Sequence, residues 1–521
     1  MRILYVLMFF LMMSVTIHAQ FINNGATVTI QSGATLRIET DFINNSGTVT
    51  NNGVLEVKED FTNAAAATFT SAVGSTVKFI GDTPSTVTSN GDAFHHVSME
   101  KTAENITLAD AMSVAGTLTF TNDNNKVILG ANNLTIQDGG SIASADDNEY
   151  VVADGAGSLV KGLSANGTIT HEIGDASNYT PLSSAVTGSA YAPATLGARV
   201  VDAIHPNKPT EADSYLSRYW VVNANGITGY ANTITGTYAS AGDIVGTASR
   251  VKGASYAPST WTYTNAATNG TSTVTGSTTV SAVDFTGMNA LNKVDITAFL
   301  ASPLSGGSMT NYLQVYDPPA TPTLLPTTSP YGAPTSTYSD IGNVAGVAGE
   351  VTDWIKVEVR DAANPATLLE TKSLLLKTNG HIVDVNGSIP TFKDHGSSVR
   401  YALHHRNHLA VLSNSSTGAF EGQNLTYNFS TAQTQAVKLD SGDPNQLQLK
   451  NGLFCLIPGD INSDLEVNGS DLTSVRIYFN LGSYDVYIKQ DLNLDGGVDG
   501  IDLTTTRISF NAGYYSTLAN L

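Results

Sequence analysis

Two stretches near the C-terminal end carry side-chain oxygens at a spacing that suits a hard cation. Counting from Asp460, positions 1, 3, 5 and 12 are Asp460, Asn462, Asp464 and Asp471; in a second copy they are Asp491, Asn493, Asp495 and Asp502. Calcium takes roughly six to eight oxygens at about 2.3–2.6 Å, so a loop that turns carboxylates inward at alternate residues and closes with one at position 12 can satisfy it. Position 7 contributes a backbone carbonyl, from Glu466 in the first loop and Gly497 in the second. A single Asp-x-Asn-x-Asp match is as well explained by a solvated turn. Duplication at one spacing favours a paired site for two calcium ions.

The duplication runs past the loops. Asp-Leu-Thr-Ser-Val-Arg-Ile-Tyr-Phe-Asn from Asp471 is echoed by Asp-Leu-Thr-Thr-Thr-Arg-Ile-Ser-Phe-Asn from Asp502, so each loop is expected to feed a short helix. Leu472, Val475 and Phe479, with Leu503, Thr506 and Phe510, fall at i, i+3, i+7 and predict the faces that pack the two helices together.

This pattern, over about residues 455 to 515, resembles the type I dockerin family, in which two loop-helix repeats bind two calcium ions and dock onto cohesin domains of partner proteins or scaffolds. The resemblance gives the ligand role to the eight loop side chains named above, and water-mediated ligation to Asn468 and Asp499. It also implies a cohesin-like or other extracellular protein as partner. Two positions depart from the family. Leu465 stands sixth in the first loop, where glycine is usual because the turn favours positive φ, at a cost of about 1 kcal/mol for other residues; the first site is therefore expected to be the weaker. The partner-selecting pairs, usually Ser-Thr in the loop and Lys-Arg in the helix, read Gly469-Ser470, Gly500-Ile501, Arg476-Ile477 and Arg507-Ile508.

Residues 1–20 read as a secretory signal: Arg2, an apolar run from Ile3 to Val15, then Thr-Ile-His-Ala-Gln. No second run is long enough to span a bilayer, and Cys455 is the only cysteine. An exported, disulfide-free chain is expected. Lys plus Arg number 25 against 45 Asp plus Glu, a formal charge of −20, which argues against nucleic acid as a partner.

Stepping N-terminally from the loops, the composition favours short strands and tight turns, and the chain reads as mainly β. Phe21-Ile-Asn-Asn-Gly-Ala-Thr-Val returns as Phe42-Ile-Asn-Asn-Ser-Gly-Thr-Val and, more weakly, at Phe61-Thr-Asn-Ala. A period near twenty residues with alternating apolar positions predicts a parallel β-solenoid over 21–147, its matching asparagines forming amide ladders. From 148 to 300 longer strands predict an antiparallel β-sandwich with Trp220 and Trp261 in its core. Residues 301–350, with the Pro-rich stretch Pro318 to Pro334, read as a linker and approach strand. A second antiparallel sandwich is expected over 351–452 and a small α-helical dockerin-like module over 453–521. The sandwich preceding the loops, the solenoid and the first sandwich also resemble modules of large exported proteins of Bacteroidetes-type bacteria, a similarity that implies location more than chemistry.

Catalytic constellations are scarce. In one extended strand His404 and His408 would share a face and His405 the other, so the trio is expected not to converge on zinc without a bulge. The acids Glu39, Asp41, Glu56, Glu59 and Asp60 sit near strand ends, and Asp41 and Asp60 recur just before Phe42 and Phe61, as a repeated turn would require. Cys455 reads as a buried core thiol. The chain is therefore expected to be a non-catalytic secreted or cell-surface protein for adhesion or extracellular assembly, with polysaccharide as a plausible target. A carbohydrate-binding or glycoside-hydrolysing component of polysaccharide degradation is the alternative.

Overall fold

The computed structural model describes residues 20–239, 241–264, 272–315, 323–332, 349–395, 398–415 and 424–521. The expected signal segment, apart from Gln20, and part of the Pro318–Pro334 stretch lie outside the described residues. The chain divides into two compact units, Met1–Met288 and Asn289–Leu521.

The first unit opens with a parallel β-solenoid of about seven turns. Its rungs align residue for residue, Phe21 on Phe42 on Phe61. The rings stack with centroids 5.2 and 4.8 Å apart, and Phe42 and Phe61 are fully buried. Two residues further along each rung, Asn23 donates to Asn44 Oδ1 (2.9 Å) and Asn44 to Asn63 Oδ1 (2.8 Å), the amide ladder the repeat predicts. Asn23 and Asn44 thus each find an acceptor at the equivalent position one rung on, and Asn63 ends the ladder on Asp92 Oδ2 (2.8 Å), which is how a stack satisfies burial by repetition. Asp41 accepts from the Asp60 amide (3.1 Å) and Asp60 from that of Thr86 (2.7 Å), so these acids hold turns.

The parallel stacking continues beyond residue 147: Tyr150–Val152 pairs with Lys126–Ile128, Ile173–Gly174 follows it, and Leu159–Leu163 pairs with Leu134–Ile136. Rung spacing is irregular, 21 and 19 residues at the asparagines, 26 from Asp60 to Thr86 and 24 from Lys126 to Tyr150, so the period fades from the sequence while the coil persists. Leu159–Leu163 also pairs antiparallel with Ala190–Val201, which leads on to Tyr219–Thr228 and Ala282–Met288. A four-stranded antiparallel sheet of Gly167–His171, Leu182–Thr187, Ala231–Thr237 and Thr273–Thr278 completes the unit. One apolar core runs from Ile30 to Phe285. Trp220 lies within it, its indole donating to Thr180 O at 3.0 Å. Trp261 is only half-buried, between His205 and Tyr256, with its indole on Asn207 O.

The second unit is built on a sheet in the order Thr391–Lys393, Leu291–Thr297, His381–Val383, Leu368–Lys377, Val351–Asp361, Val399–His405 and His408–Leu412; Asn424–Asn428 pairs parallel to Leu291–Thr297. Leu291–Thr297 falls in the span the sequence assigned to the preceding sandwich, yet its hydrogen bonds go to strands of this unit. In the span assigned as linker, Leu304, Met309, Leu313 and Leu325 are core residues around Trp354. Cys455 is buried there too, its thiol pushed up to about 12 by desolvation.

The histidine trio departs from the sequence reading. The chain turns at Arg406–Asn407, so His405 and His408 face each other across a hairpin with their Nδ1 atoms 3.2 Å apart, whereas His404 points to Glu358. His404 and His408 do not share a face, because the segment is two strands and not one. Burial lowers the pKa of all three.

Candidate metal centre

Both acidic loops adopt the same local structure. Asp460 and Asp491, at position 1, are buried and accept the backbone N–H of position 6: Leu465 donates to Asp460 Oδ2 (3.2 Å) and Gly496 to Asp491 Oδ2 (3.0 Å). Position 6 is left-handed in both, φ 72° at Leu465 and 84° at Gly496, the conformation that makes glycine the usual residue. Asn462 and Asn493 each accept from the backbone N–H of position 5 and donate their amide to the carboxylate of Asp464 or Asp495, at 2.7 Å in each case.

The last loop residues are also the first helical ones. Asn468 and Asp499 are the N-caps of helices Gly469–Leu481 and Gly500–Ala512, and Asp471 and Asp502 close capping boxes from the third helical position. Asp471 Oδ1 also accepts from Ile461 and Asn462, and Asp502 Oδ1 from Leu492 and Asn493. The closing carboxylates thus tie the loop's beginning to the helix start. Each helix ends at a left-handed glycine, Gly482 or Gly513.

The two copies interlock. Val467 N–H reaches Tyr514 O (2.9 Å) after the second helix, and Val498 N–H reaches Ser483 O (2.9 Å) after the first. Glu466 and Gly497, the position 7 residues, sit in the corresponding bridges with Tyr515 and Tyr484. Ile461, Val475, Leu492 and Val498 form the small shared core. The helix faces differ from the sequence expectation: the first buries Asp471 and Val475 with Tyr478 partly covered, and the second buries Asp502, Thr506 and Ser509. Phe479 and Phe510 are exposed, because each lies one residue, about 100° of helix, beyond the stripe that the position 12 aspartate begins.

The electrostatics are those of crowded acids. Asp460 is pushed up to about 7, first by burial and then by the charges of Asp471 and Asp464. Burial likewise pushes Asp491 up to about 7, against the pull of Arg406, and Asp502 to about 6. Asp460 Oδ1 is buried without any hydrogen-bond donor. An acceptor of that kind suits a cation, so the first loop fits calcium at its position 1 ligand. In the second loop the carboxylates of Asp491 and Asp502 are bonded to backbone N–H groups. Among the described residues no three Asp, Glu, His or Cys side chains form a ready cage for a metal; in both loops the position 3 amide occupies the position 5 carboxylate, and ligation requires that amide to turn its oxygen inward.

Residues outside the loops fix them to the sheet, and these the sequence reading missed. Arg406, from the hairpin turn, donates to Ile488 O just ahead of the second loop, lies 4.3 Å from the Tyr487 ring centroid, and pairs with the fully buried Asp353 at 2.7 Å. Asn407 donates to Asp491 O (2.6 Å), and Tyr487 O–H to Asp353 (2.7 Å). Ahead of the first loop, Leu409 N–H bonds Ile457 O and Gly459 N–H bonds Asn407 O. The available signal was an arginine and an asparagine set between apolar strand runs. Comparison of the chain with family models, curated proteins and solved structures finds no match.

Proposed function

We propose that the paired acidic loops bind two calcium ions and that the chain is a secreted, non-catalytic protein for adhesion or extracellular assembly. In this reading the β regions after the solenoid are antiparallel sandwiches and the tail is a dockerin-like module. The observation that carries it is the duplicated loop geometry, with the donor-less Asp460 Oδ1 at a ligand position. Binding would draw on Asp460, Asn462, Asp464, Glu466 O and Asp471 in one loop, and on Asp491, Asn493, Asp495, Gly497 O and Asp502 in the other. Calcium would supply charge neutralisation, and the ordering it brings is linked to folding.

Calorimetry of the full chain tests this: two calcium-binding events are expected in the tail, one of them lost in Asp491→Ala. An isotherm identical to wild type would refute the assignment. Matching apolar residues left exposed on the two helices, Ile477 with Ile508 and Phe479 with Phe510, support a docking face for an extracellular protein.

A second reading is favoured by the bonds from Arg406 and Asn407: the module acts as a clamp within its own unit. Capture of a partner from the extracellular fraction by the full chain, in calcium but not in chelator and lost on Ile477→Asp with Ile508→Asp, would support docking. Capture unaffected by those substitutions would leave the clamp as the tail's role.

A further inference from the structure

A second place in the molecule has oxygens without donors, in the first unit and far in sequence from the acidic loops. Where the chain turns into strand Lys126–Ile128, Asn125 is fully buried; one rung on, Glu149 precedes the paired strand Tyr150–Val152 and is 7% exposed. The register Lys126 on Tyr150 makes Asn125 and Glu149 the next pair along the stack. Asn125 spends its amide N–H groups on Lys101 O (3.0 Å), one rung back, and Asp123 O (3.2 Å), leaving Oδ1 buried with no donor. Glu149 Oε2 is likewise buried with none. The Glu149 carboxyl lies within hydrogen-bonding reach of the Asp146 carboxyl and also takes the Asn124 backbone N–H, the charge of Asp123 acts on it as well, and Asp146 Oδ1 accepts from the Asn148 N–H (2.8 Å), so the donor-less oxygens of the corner are Asn125 Oδ1 and Glu149 Oε2.

Among the described residues no side-chain cation pairs with Glu149 or Asp146. The Lys101 ammonium is committed to the carbonyls of Lys58, Ile80 and Thr83, and that of Lys126 to Tyr150 O–H and Ala176 O. Elsewhere in the solenoid a buried amide finds its partner one rung away, as Asn23, Asn44 and Asn63 do. Here each of two successive rungs leaves a buried oxygen without a donor, an arrangement that costs stability unless something supplies the missing partner. A cavity of about 680 Å³, lined among others by their chain neighbours Asn124, Lys126, Asp147 and Asn148, opens beside the turn.

We propose that this solenoid corner binds a calcium ion through the carboxylates of Glu149 and Asp146 and the amide oxygen of Asn125. Two carboxylates and an amide form an all-oxygen set for a hard cation, with the cavity supplying waters for the remaining positions. The ion would bridge two successive rungs of the solenoid.

Calcium content of the full chain, measured after equilibration with excess calcium and desalting, tests this. Three equivalents are expected for wild type, one for Asp460→Ala with Asp491→Ala, and none when Glu149→Gln is added. A tail-loop variant that retains no calcium would overturn the proposal, with a buried water or a proton shared by Glu149 and Asp146 filling the corner. So would a residual equivalent that survives Glu149→Gln. If the tail loops themselves bind none, wild type holds one equivalent that Glu149→Gln removes, so failure at the tail and failure at the corner give different counts. Should Glu149→Gln fail to fold, Asn125→Ala in the same background makes the same comparison.

Discussion

The solenoid and the C-terminal loops are both products of repetition, and the repeats meet their polar demands in opposite ways. In the solenoid, equivalent residues lie on top of one another, so an asparagine that repeats supplies its own donor and acceptor. In the tail, the copies face each other through backbone bridges and apolar residues, while each loop folds around its own acids. Stacked repetition closes on itself; paired repetition leaves like charges together, which is the demand the proposed calcium ions would meet. The corner at Asn125 and Glu149 likewise leaves buried oxygens without donors, here inside a stack, because neighbouring rungs there differ in residue type.

The largest expected effect lies where the tail is joined to its sheet. Arg406→Leu leaves Asp353 buried with His405 (3.2 Å), Tyr487 and the Trp354 backbone N–H (2.7 Å) as partners but without its guanidinium, and a buried charge stripped of its counter-ion costs about 3–5 kcal/mol. Urea unfolding of the second unit should show that loss, with calcium affinity falling as the second loop comes loose. An unchanged midpoint would mean the hairpin does not hold the loop. In the solenoid, Phe42→Ala removes a fully buried ring stacked between Phe21 and Phe61 and should cost about 3 kcal/mol, the low end for such a truncation because Phe21 is half-buried and can shift inward. A loss under about 1 kcal/mol would show that the rungs do not share one core.

A third effect depends on pH. His171 is fully buried in the four-stranded sheet, donates from Nε2 to Leu196 O (3.0 Å), and is pushed down to about 3 by desolvation. The unfolded chain takes up this proton near pH 6.5 and the native chain does not, so stability is fully present above about 6.5 and falls as the pH drops toward 3, by about 1.4 kcal/mol per unit. Denaturation of the first unit between pH 7 and 5 should show the slope, and His171→Leu should flatten it. A slope unchanged by that substitution would assign the acid sensitivity to other groups.

What was legible in the sequence follows the same division. The Phe and Asn repeats could be read because stacking puts identical residues in contact, so periodicity and structure are one fact. The solenoid's continuation past 147 could not, since rungs of 24 residues with new side chains carry no repeat to recognise. The loop spacing and the left-handed position 6 were legible as local properties of a short segment. The buried helix stripe was misread at Phe479 and Phe510 because Asp471 and Asp502, polar by type, take buried places as capping and loop-closing groups. The Arg406–Asn407 turn was missed because it holds neither glycine nor proline, and its partners lie some 50 to 80 residues away in sequence.

The smallest effect separates strain from packing at position 6. Leu465 keeps φ at 72°, at a cost of about 1 kcal/mol against glycine, yet its side chain is half-buried against Leu412 and Leu518. Gly496, its counterpart, has no room for a side chain, since a Cβ would meet Tyr312 at 2.8 Å. Leucine is therefore tolerated in the first loop because burial offsets the backbone cost. Leu465→Ala loses the packing and keeps the strain, whereas Leu465→Gly loses both. In calcium, the glycine variant should be more stable than the alanine variant by about 1 kcal/mol, the reverse of the usual order. Urea midpoints of the two variants decide it; alanine equal to or above glycine would mean that the first loop carries no strain to release.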